Sequence, residues 1–191
     1  MSRGHHHSGG RGEYGFFGRQ GFFNDFNEIQ GTEGDETLTG TTGSDRIFGD
    51  DGNDILNGDA ENDYINGGNG NDGLTGDAGN DYLYGGDGND ILTGSSGIDQ
   101  LHGGDGQDTF VFNIGSEVDW VRDFVVGEDI LQLSANFGIT AEQAVSQVST
   151  IELGFMDNDT DNHFLSILNL GTDTLAIRHE GELTSDSFQI V

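Results

Sequence analysis

The sequence predicts an all-β protein in which a parallel β-roll is followed by a C-terminal β-sandwich-like cap. Three observations predict this fold. Glycine occupies 34 of the 191 positions, far above ordinary usage. A nine-residue pattern of glycine, acid and apolar residue recurs nine times without a gap over residues 31–111. From residue 112 onward, apolar and polar residues alternate along the sequence, as they do in paired strands.

The charge of the chain limits what it can bind. The formal net charge is -29, because 35 acidic residues face six Arg and no Lys, and apolar residues make up only 32% of the chain. Such a chain cannot bury enough apolar surface to offset its ordering entropy, so we expect disorder unless a cation from outside neutralises the acids. Nucleic acids and anionic membranes are excluded as partners, since both bind clustered cations. The sequence also has no cysteine and no membrane-spanning stretch.

The repeat has three fixed columns. Position one is glycine in every unit: Gly31, Gly40, Gly49, Gly58, Gly67, Gly76, Gly85, Gly94 and Gly103. Position six is acidic: Glu36, Asp45, Asp54, Asp63, Asp72, Asp81, Asp90, Asp99 and Asp108. Position eight is a large apolar residue: Leu38, Ile47, Leu56, Ile65, Leu74, Leu83, Leu92, Leu101 and Phe110. Each unit is therefore a turn, a carboxylate and a short strand.

Strands this short are stable only when stacked. We expect two units to form one coil, each strand to pair with the next coil about 4.8 Å away, and the apolar column to form a continuous core. Turns of alternate units then lie above one another on the same edge. Like charges would stack along each edge, which is unfavourable unless a cation lies between them.

The gaps between stacked turns predict a calcium array. Each gap faces two position-six carboxylates and the carbonyl groups of glycine-rich turns, the hard oxygen donors that Ca²⁺ prefers over Mg²⁺, whereas Zn²⁺ would need His or Cys. We expect five to eight ions. The turn glycines predicted to contribute are Gly49, Gly52, Gly67, Gly70, Gly76, Gly79, Gly85, Gly88, Gly103 and Gly106. The alternative is that these residues only make tight turns.

The units resemble the GGxGxDxUx repeat of the RTX (repeats-in-toxin) family, whose calcium-binding β-helix repeat is a known repeat architecture. The segments GGDGNDILT, from Gly85, and GGNGNDGLT, from Gly67, are nearly ideal copies. Departures include Glu61 at position four, Thr32, Thr41 and Ser95 at position two, and Glu36 in the acidic column. The resemblance implies a calcium-binding module.

Residues 112–191 are predicted to form the β-rich cap, with one short helix over residues 141–148. The stretch FNIGSEVDWVRDFVVGEDILQLS resembles the segment after the repeats in serralysin-type proteases and in alginate epimerase R-modules. That resemblance implies that Asp123 and Asp129 complete a last calcium site; the alternative is that they are solvated turn residues. The ending LTSDSFQIV resembles an uncleaved type I secretion signal, and the same residues also suit a final strand. Residues 1–30 are rich in Gly and Phe and are expected to be flexible.

No catalytic motif is present. The sequence contains no HExxH, GxSxG or P-loop, and nothing singles out an acid/base pair among its carboxylates. We therefore predict a non-enzymatic, monomeric calcium-binding module of a type I secreted protein, which folds outside the cell or at its surface. Two alternatives remain: a module that binds an extracellular polysaccharide or adheres to a surface, and the non-catalytic C-terminal part of a secreted enzyme.

Overall fold

The structure, a computed structural model, describes residues 26–153 and 163–191. Most of the N-terminal segment predicted to be flexible lies outside the described residues. Within them no helix is long and apolar enough to cross a membrane. The described residues form mainly β-strands, with one α-helix, α1 (Ala141–Gln147), and two short 3₁₀ helices (Ala135–Phe137 and Ser185–Ser187). The predicted helix is therefore confirmed.

From β1 to β13, successive strands alternate between two sheets that face each other. The nine-stranded sheet contains β1 (Asn27–Thr32), β3 (Asp45–Asp51), β5 (Tyr64–Asn69), β7 (Tyr82–Asp87), β9 (Gln100–Asp105), β11 (Val118–Val125), β13 (Val148–Leu153), β14 (His163–Leu170) and β15 (Asp173–Glu180). The seven-stranded sheet contains β2 (Thr37–Thr39), β4 (Ile55–Asn57), β6 (Gly73–Ala78), β8 (Ile91–Ser96), β10 (Thr109–Phe112), β12 (Ile130–Leu133) and β16 (Phe188–Ile190).

Each coil of the roll contains two nonapeptides. Ile47 lies opposite Ile65, Ile65 opposite Leu83 and Leu83 opposite Leu101, all in parallel pairs 18 residues apart. The same spacing relates Leu56, Leu74 and Leu92 in the other sheet. The predicted fold class, a parallel β-roll, is therefore confirmed.

The position-eight column forms the core between the two sheets. The side chains from the second unit to the last are at most 1% exposed: Ile47, Leu56, Ile65, Leu74, Leu83, Leu92, Leu101 and Phe110. Each fully buried side chain of this size contributes about 1.5–3 kcal/mol. Neighbouring residues on each strand point outward because side chains alternate across a strand.

The parallel ladder continues beyond the nonapeptides. Strand β11 pairs with β9, β12 pairs with β10, and the final strands β15 and β16 add another coil. The spacing changes from 18 residues to 20 for Gln100 and Trp120, and to 21 for Thr109 and Ile130. Strands β14 and β13 then extend the nine-stranded sheet in antiparallel fashion. These strands and α1 form the C-terminal part of the fold.

Candidate metal centre

The position-six carboxylates form two buried stacks, one along each edge of the roll. The residues on one edge are Asp45, Asp63, Asp81 and Asp99, and those on the other are Glu36, Asp54, Asp72, Asp90 and Asp108. In the central coils the Oδ1 atom accepts a hydrogen bond from the backbone N–H of the position-six residue one coil earlier. The Asp72 N–H donates to Asp90 at 2.8 Å, and the Asp81 N–H donates to Asp99 at 2.8 Å. One oxygen of each carboxylate is thereby satisfied.

In six of these nine carboxylates the second oxygen has no hydrogen-bond donor among the described residues. The buried Oδ2 atoms concerned belong to Asp54, Asp63, Asp72, Asp81, Asp90, Asp99 and, beyond the repeats, Asp119. Burial, together with the charges of the carboxylates one coil away, raises the pKa of Asp81 and that of Asp90 to about 7. A buried ionised carboxylate is costly unless it is paired or binds a metal.

The repeat glycines let backbone carbonyl groups and carboxylates approach one another closely at the turns. A Cβ atom added to the position-one residue Gly85 would lie 2.3 Å from Oδ2 of Asp90. At position four, Gly88 has φ +139°, and an added Cβ would lie 1.9 Å from the carbonyl oxygen of Gly70, one coil earlier. The predicted turn glycines of positions one and four lie in such turns, so backbone carbonyls and carboxylates crowd the same edge. No side chain other than hydrogen fits there.

The donor set suits calcium. Nowhere in residues 26–153 and 163–191 do three or more His, Cys, Asp or Glu side chains converge as a metal-binding group. In the stacks, an ion between coils would face two position-six carboxylates and backbone carbonyl groups of the turns. Such uncharged and charged oxygen donors are those of Ca²⁺ sites rather than of Zn²⁺ sites.

The first two turns differ from the rest. The Thr32 N–H and hydroxyl both donate to the carboxylate of Glu36. The Thr41 N–H donates to Oδ2 of Asp45 at 2.5 Å, and the Thr41 hydroxyl donates to the same oxygen at 3.0 Å. Threonine at position two therefore supplies the donors that the later carboxylates lack, so Glu36 and Asp45 have less need of a cation.

Asp123 and Asp129 have both carboxylate oxygens occupied. Asp129 accepts the N–H groups of Asp108, at 2.9 Å, and Val125, at 2.7 Å. Asp123 accepts the N–H groups of Gly103 and Gly104 at 3.0 and 2.9 Å. Each carboxylate can still contribute lone pairs to an ion, but each already stabilises the backbone.

Asp119 was missed in the sequence. It is 1% exposed, and its Oδ1 accepts the N–H of Asp99 at 3.3 Å, so it takes the next place in the stack after Asp99. Burial and the charge of Asp99 raise its pKa to about 8. The available signal was the triplet Asp119-Trp120-Val121, which repeats the acid-x-apolar order of Asp99-Gln100-Leu101 at a spacing of 20 residues.

A roll with buried carboxylates stacked at glycine-rich turns defines a class of calcium-binding repeat proteins. The family model described as RTX calcium-binding nonapeptide repeat (4 copies) matches residues 30–65, 54–83 and 84–116. These residues are therefore RTX calcium-binding nonapeptide repeats, a non-catalytic calcium-binding module, and the family prediction made from the sequence is confirmed.

The solved structures that resemble this chain include an extracellular lipase and a subunit of an epimerase. The extracellular lipase LipA from Serratia marcescens aligns with 86% of it at 15% identity and a TM-score of 0.37. The chain spans only 40% of that lipase. The AlgE6R3 subunit from the Azotobacter vinelandii mannuronan C5-epimerase aligns with 87% of this chain at 22% identity and a TM-score of 0.30, and 84% of that subunit is covered. A search of curated proteins gave no match.

Proposed function

We propose that this chain is a calcium-dependent folding module of a secreted protein, exported unfolded by a type I secretion system and folded by calcium outside the cell. One observation carries the proposal: seven buried carboxylate oxygens have no hydrogen-bond donor among the described residues. Without a cation these stacked charges oppose folding, and with calcium between coils they favour it.

The chain offers few internal cations to replace calcium. Arg46, Arg122 and Arg178 are the only basic residues besides His in the described part of the chain, and none of them forms a salt bridge with a described acid. The carboxylates therefore depend on cations from solvent. Extracellular calcium modules bind with Kd values of about 10⁻⁴–10⁻³ M, so such sites stay empty in cytosol and fill outside.

We propose that the ions occupy the gaps from the third turn onward. The carboxylates with an unsatisfied Oδ2 run from Asp54 to Asp99 and include Asp119, whereas the threonine-bound carboxylates of Glu36 and Asp45 contribute less. This arrangement supports a count of five to eight ions. In the second stack Asp129 follows Asp108, whose N–H donates to Oδ1 of Asp129 at 2.9 Å.

The C-terminal residues suit export as well as folding. Phe188–Ile190 forms the last parallel strand, β16, on β12. The secretion system would recognise an export signal in this segment while the chain is unfolded. The same residues would form strand β16 after folding. We also propose that the chain itself has no hydrolytic activity, whether it acts alone or as part of a secreted enzyme.

Small-angle X-ray scattering in EDTA and in calcium tests this function. A compact chain of this length has a radius of gyration of about 16 Å, and an unfolded one has about 47 Å. We expect a value near the unfolded one in EDTA and a contraction with calcium, but not with magnesium at the same concentration. A compact chain in EDTA would contradict the proposal.

A further inference from the structure

A trough crosses strands β3, β5 and β7 on the outer face of the nine-stranded sheet. It has a volume of about 560 Å³, within the range of ligand sites. The parallel register aligns its lining residues in three columns, one residue of each column per strand: Phe48, Asp50 and Asp51 on β3; Asn66, Gly68 and Asn69 on β5; and Tyr84, Gly86 and Asp87 on β7. The first column forms one wall, and the last column forms the other.

The trough is open because two residues of the middle column are glycine. Gly68 and Gly86 have φ +110° and +121°, and a Cβ atom added to either would lie 2.0 Å from a backbone carbonyl oxygen one coil earlier. No side chain can therefore fill the floor between the two walls.

The lining is acidic, and none of its described residues is basic. Its four carboxylates are all exposed: Glu33, Asp50, Asp51 and Asp87. Two of them accept hydrogen bonds from neutral amides, Asp50 from Gln30 at 2.7 Å and Asp51 from Asn69 at 2.6 Å. These contacts leave the negative charges in place, so the trough is complementary to a cation.

The aromatic wall suits guanidinium groups. On this face two arginines already stack on rings: the Arg46 guanidinium lies 4.7 Å from the centre of the Phe26 ring, and that of Arg122 lies 4.9 Å from the centre of the Trp120 ring. A cation over a ring face is attracted by the negative charge density of the ring. Neither of these arginines lines the trough, whose two rings are half-buried.

A ring and a carboxylate recur together at a fixed spacing. Phe48 and Asp51 lie on β3, and Tyr84 and Asp87 lie on β7, two coils further along the roll. Neighbouring strands are about 4.8 Å apart, so the two ring–carboxylate pairs are about 9.6 Å apart. Every third residue of a polyproline II helix lies on the same side at intervals of about 9.3 Å, whereas alternate residues of an extended strand repeat at about 6.7 Å. The spacing matches polyproline II.

We propose that this trough binds a basic peptide in the polyproline II conformation, with arginine at every third residue and each guanidinium held between a ring and a carboxylate. Polyproline II segments are preformed and dock into aromatic-lined grooves. A second copy of this chain, a nucleic acid or an anionic lipid surface would bring further negative charge to the four carboxylates. The proposal requires the folded roll but not its export.

Calorimetry on the full chain in saturating calcium tests the trough. The probe is the end-blocked peptide Arg-Pro-Pro-Arg-Pro-Pro, and its control is Arg-Arg-Pro-Pro-Pro-Pro, which has the same composition and charge. We expect the probe to bind several-fold more tightly than the control. The Asp51→Asn/Asp87→Asn double variant should lose about fivefold or more in affinity for the probe, because two charge-assisted contacts become neutral ones.

The matched control is the Asp59→Asn/Glu128→Gln double variant, which removes the same charge from two exposed acids outside the trough and should change affinity less than twofold. Equal losses in both double variants would mean diffuse charge attraction and would overturn the trough. Equal affinities for the two peptides would overturn the polyproline II spacing.

A further variant tests whether the chain occupies its own trough. Peptide binding that appears only in the Arg3→Gln/Arg11→Gln/Arg19→Gln variant would assign the trough to the N-terminal arginines and overturn an external partner. Circular dichroism in calcium monitors the folding of each variant. A chain that does not fold in calcium contradicts the proposed function, whereas a folded chain that does not bind the probe contradicts the trough alone.

Discussion

Replacing Asp90 by Asn removes one charge from the middle of a carboxylate stack while keeping its shape. The Asn side chain retains the oxygen that accepts the Asp72 N–H. Asp90 lies between Asp72 and Asp108 on its edge, so it faces two of the gaps proposed to hold calcium. Both sites lose an anionic ligand in the Asp90→Asn variant.

The expected loss follows from ligand-linked folding. A site with a Kd of about 10⁻⁴–10⁻³ M contributes about 1.4–2.7 kcal/mol to the free energy of unfolding at about 10 mM calcium. Losing two sites therefore costs about 3–5 kcal/mol. Chains of this size lose about 2–4 °C of melting temperature per kcal/mol, which predicts a fall of about 6–20 °C.

The assay is thermal unfolding followed by far-UV circular dichroism in calcium. Asp87→Asn is the matched control, since Asp87 is an exposed acid on the preceding strand, β7. It should change the melting temperature by no more than an ordinary surface substitution does. An unchanged melting temperature for Asp90→Asn, or an equal fall for both variants, would refute the role of the buried stack.

Three further predictions concern the pH dependence of folding, a glycine of the turns and a leucine of the core. In EDTA, β-sheet signal should rise as the pH is lowered from about 7 to about 4, because burial raises the folded-state pKa of Asp90 to about 7 from 3.8. Protons therefore bind the folded chain more tightly, and a signal that falls on acidification would contradict this. Gly85→Ala should cost about 1–3 kcal/mol or more in calcium melts by overpacking, whereas Gly73→Ala, whose added Cβ is 3.9 Å from its nearest neighbour, should change little. Leu83→Ala should cost about 2–5 kcal/mol in urea unfolding, and Ile91→Ala, 53% exposed, should cost far less; similar costs would disprove the core assignment.

The nonapeptide fold could be predicted from the sequence because each column has one physical role. Leu83 and Asp90 take their places from the period alone, which sets two units to a coil. The helix over Ala141–Gln147 was also readable from its local pattern. These features depend on local sequence patterns. In the roll, the nonapeptide pattern repeats in every coil, so each coil adopts the same structure.

Other features depend on local geometry that the period does not describe. The insertion before β11 lengthens the spacing between coils. Asp119 therefore does not fall on a position-six site of the nonapeptide period, and the period did not identify it. Whether Asp129 is free to bind an ion depends on the Val125 N–H, which the turn brings to within 2.7 Å of it. The hydrogen bonds that Thr41 donates to the Asp45 carboxylate likewise depend on the conformation of one turn.

The adjacency of Arg122 and Arg178 on strands β11 and β15 shows a third limit. Arg122 and Arg178 are far apart in sequence, and no motif joins them. They meet because the parallel ladder places β15 beside β11 and pairs Val121 with Ile177, the residues that precede the two arginines. Such a surface becomes visible only when strand order and side-chain direction are known together.

The central claim is that calcium folds the roll, and a calcium titration of EDTA-treated chain followed by far-UV circular dichroism tests it most directly. Magnesium at the same concentrations is the control. We predict little β signal in EDTA, a steep cooperative gain with calcium and no comparable gain with magnesium. A chain with full β signal in EDTA that does not respond to calcium would contradict the account, since the carboxylate stacks would then be tolerated without a cation.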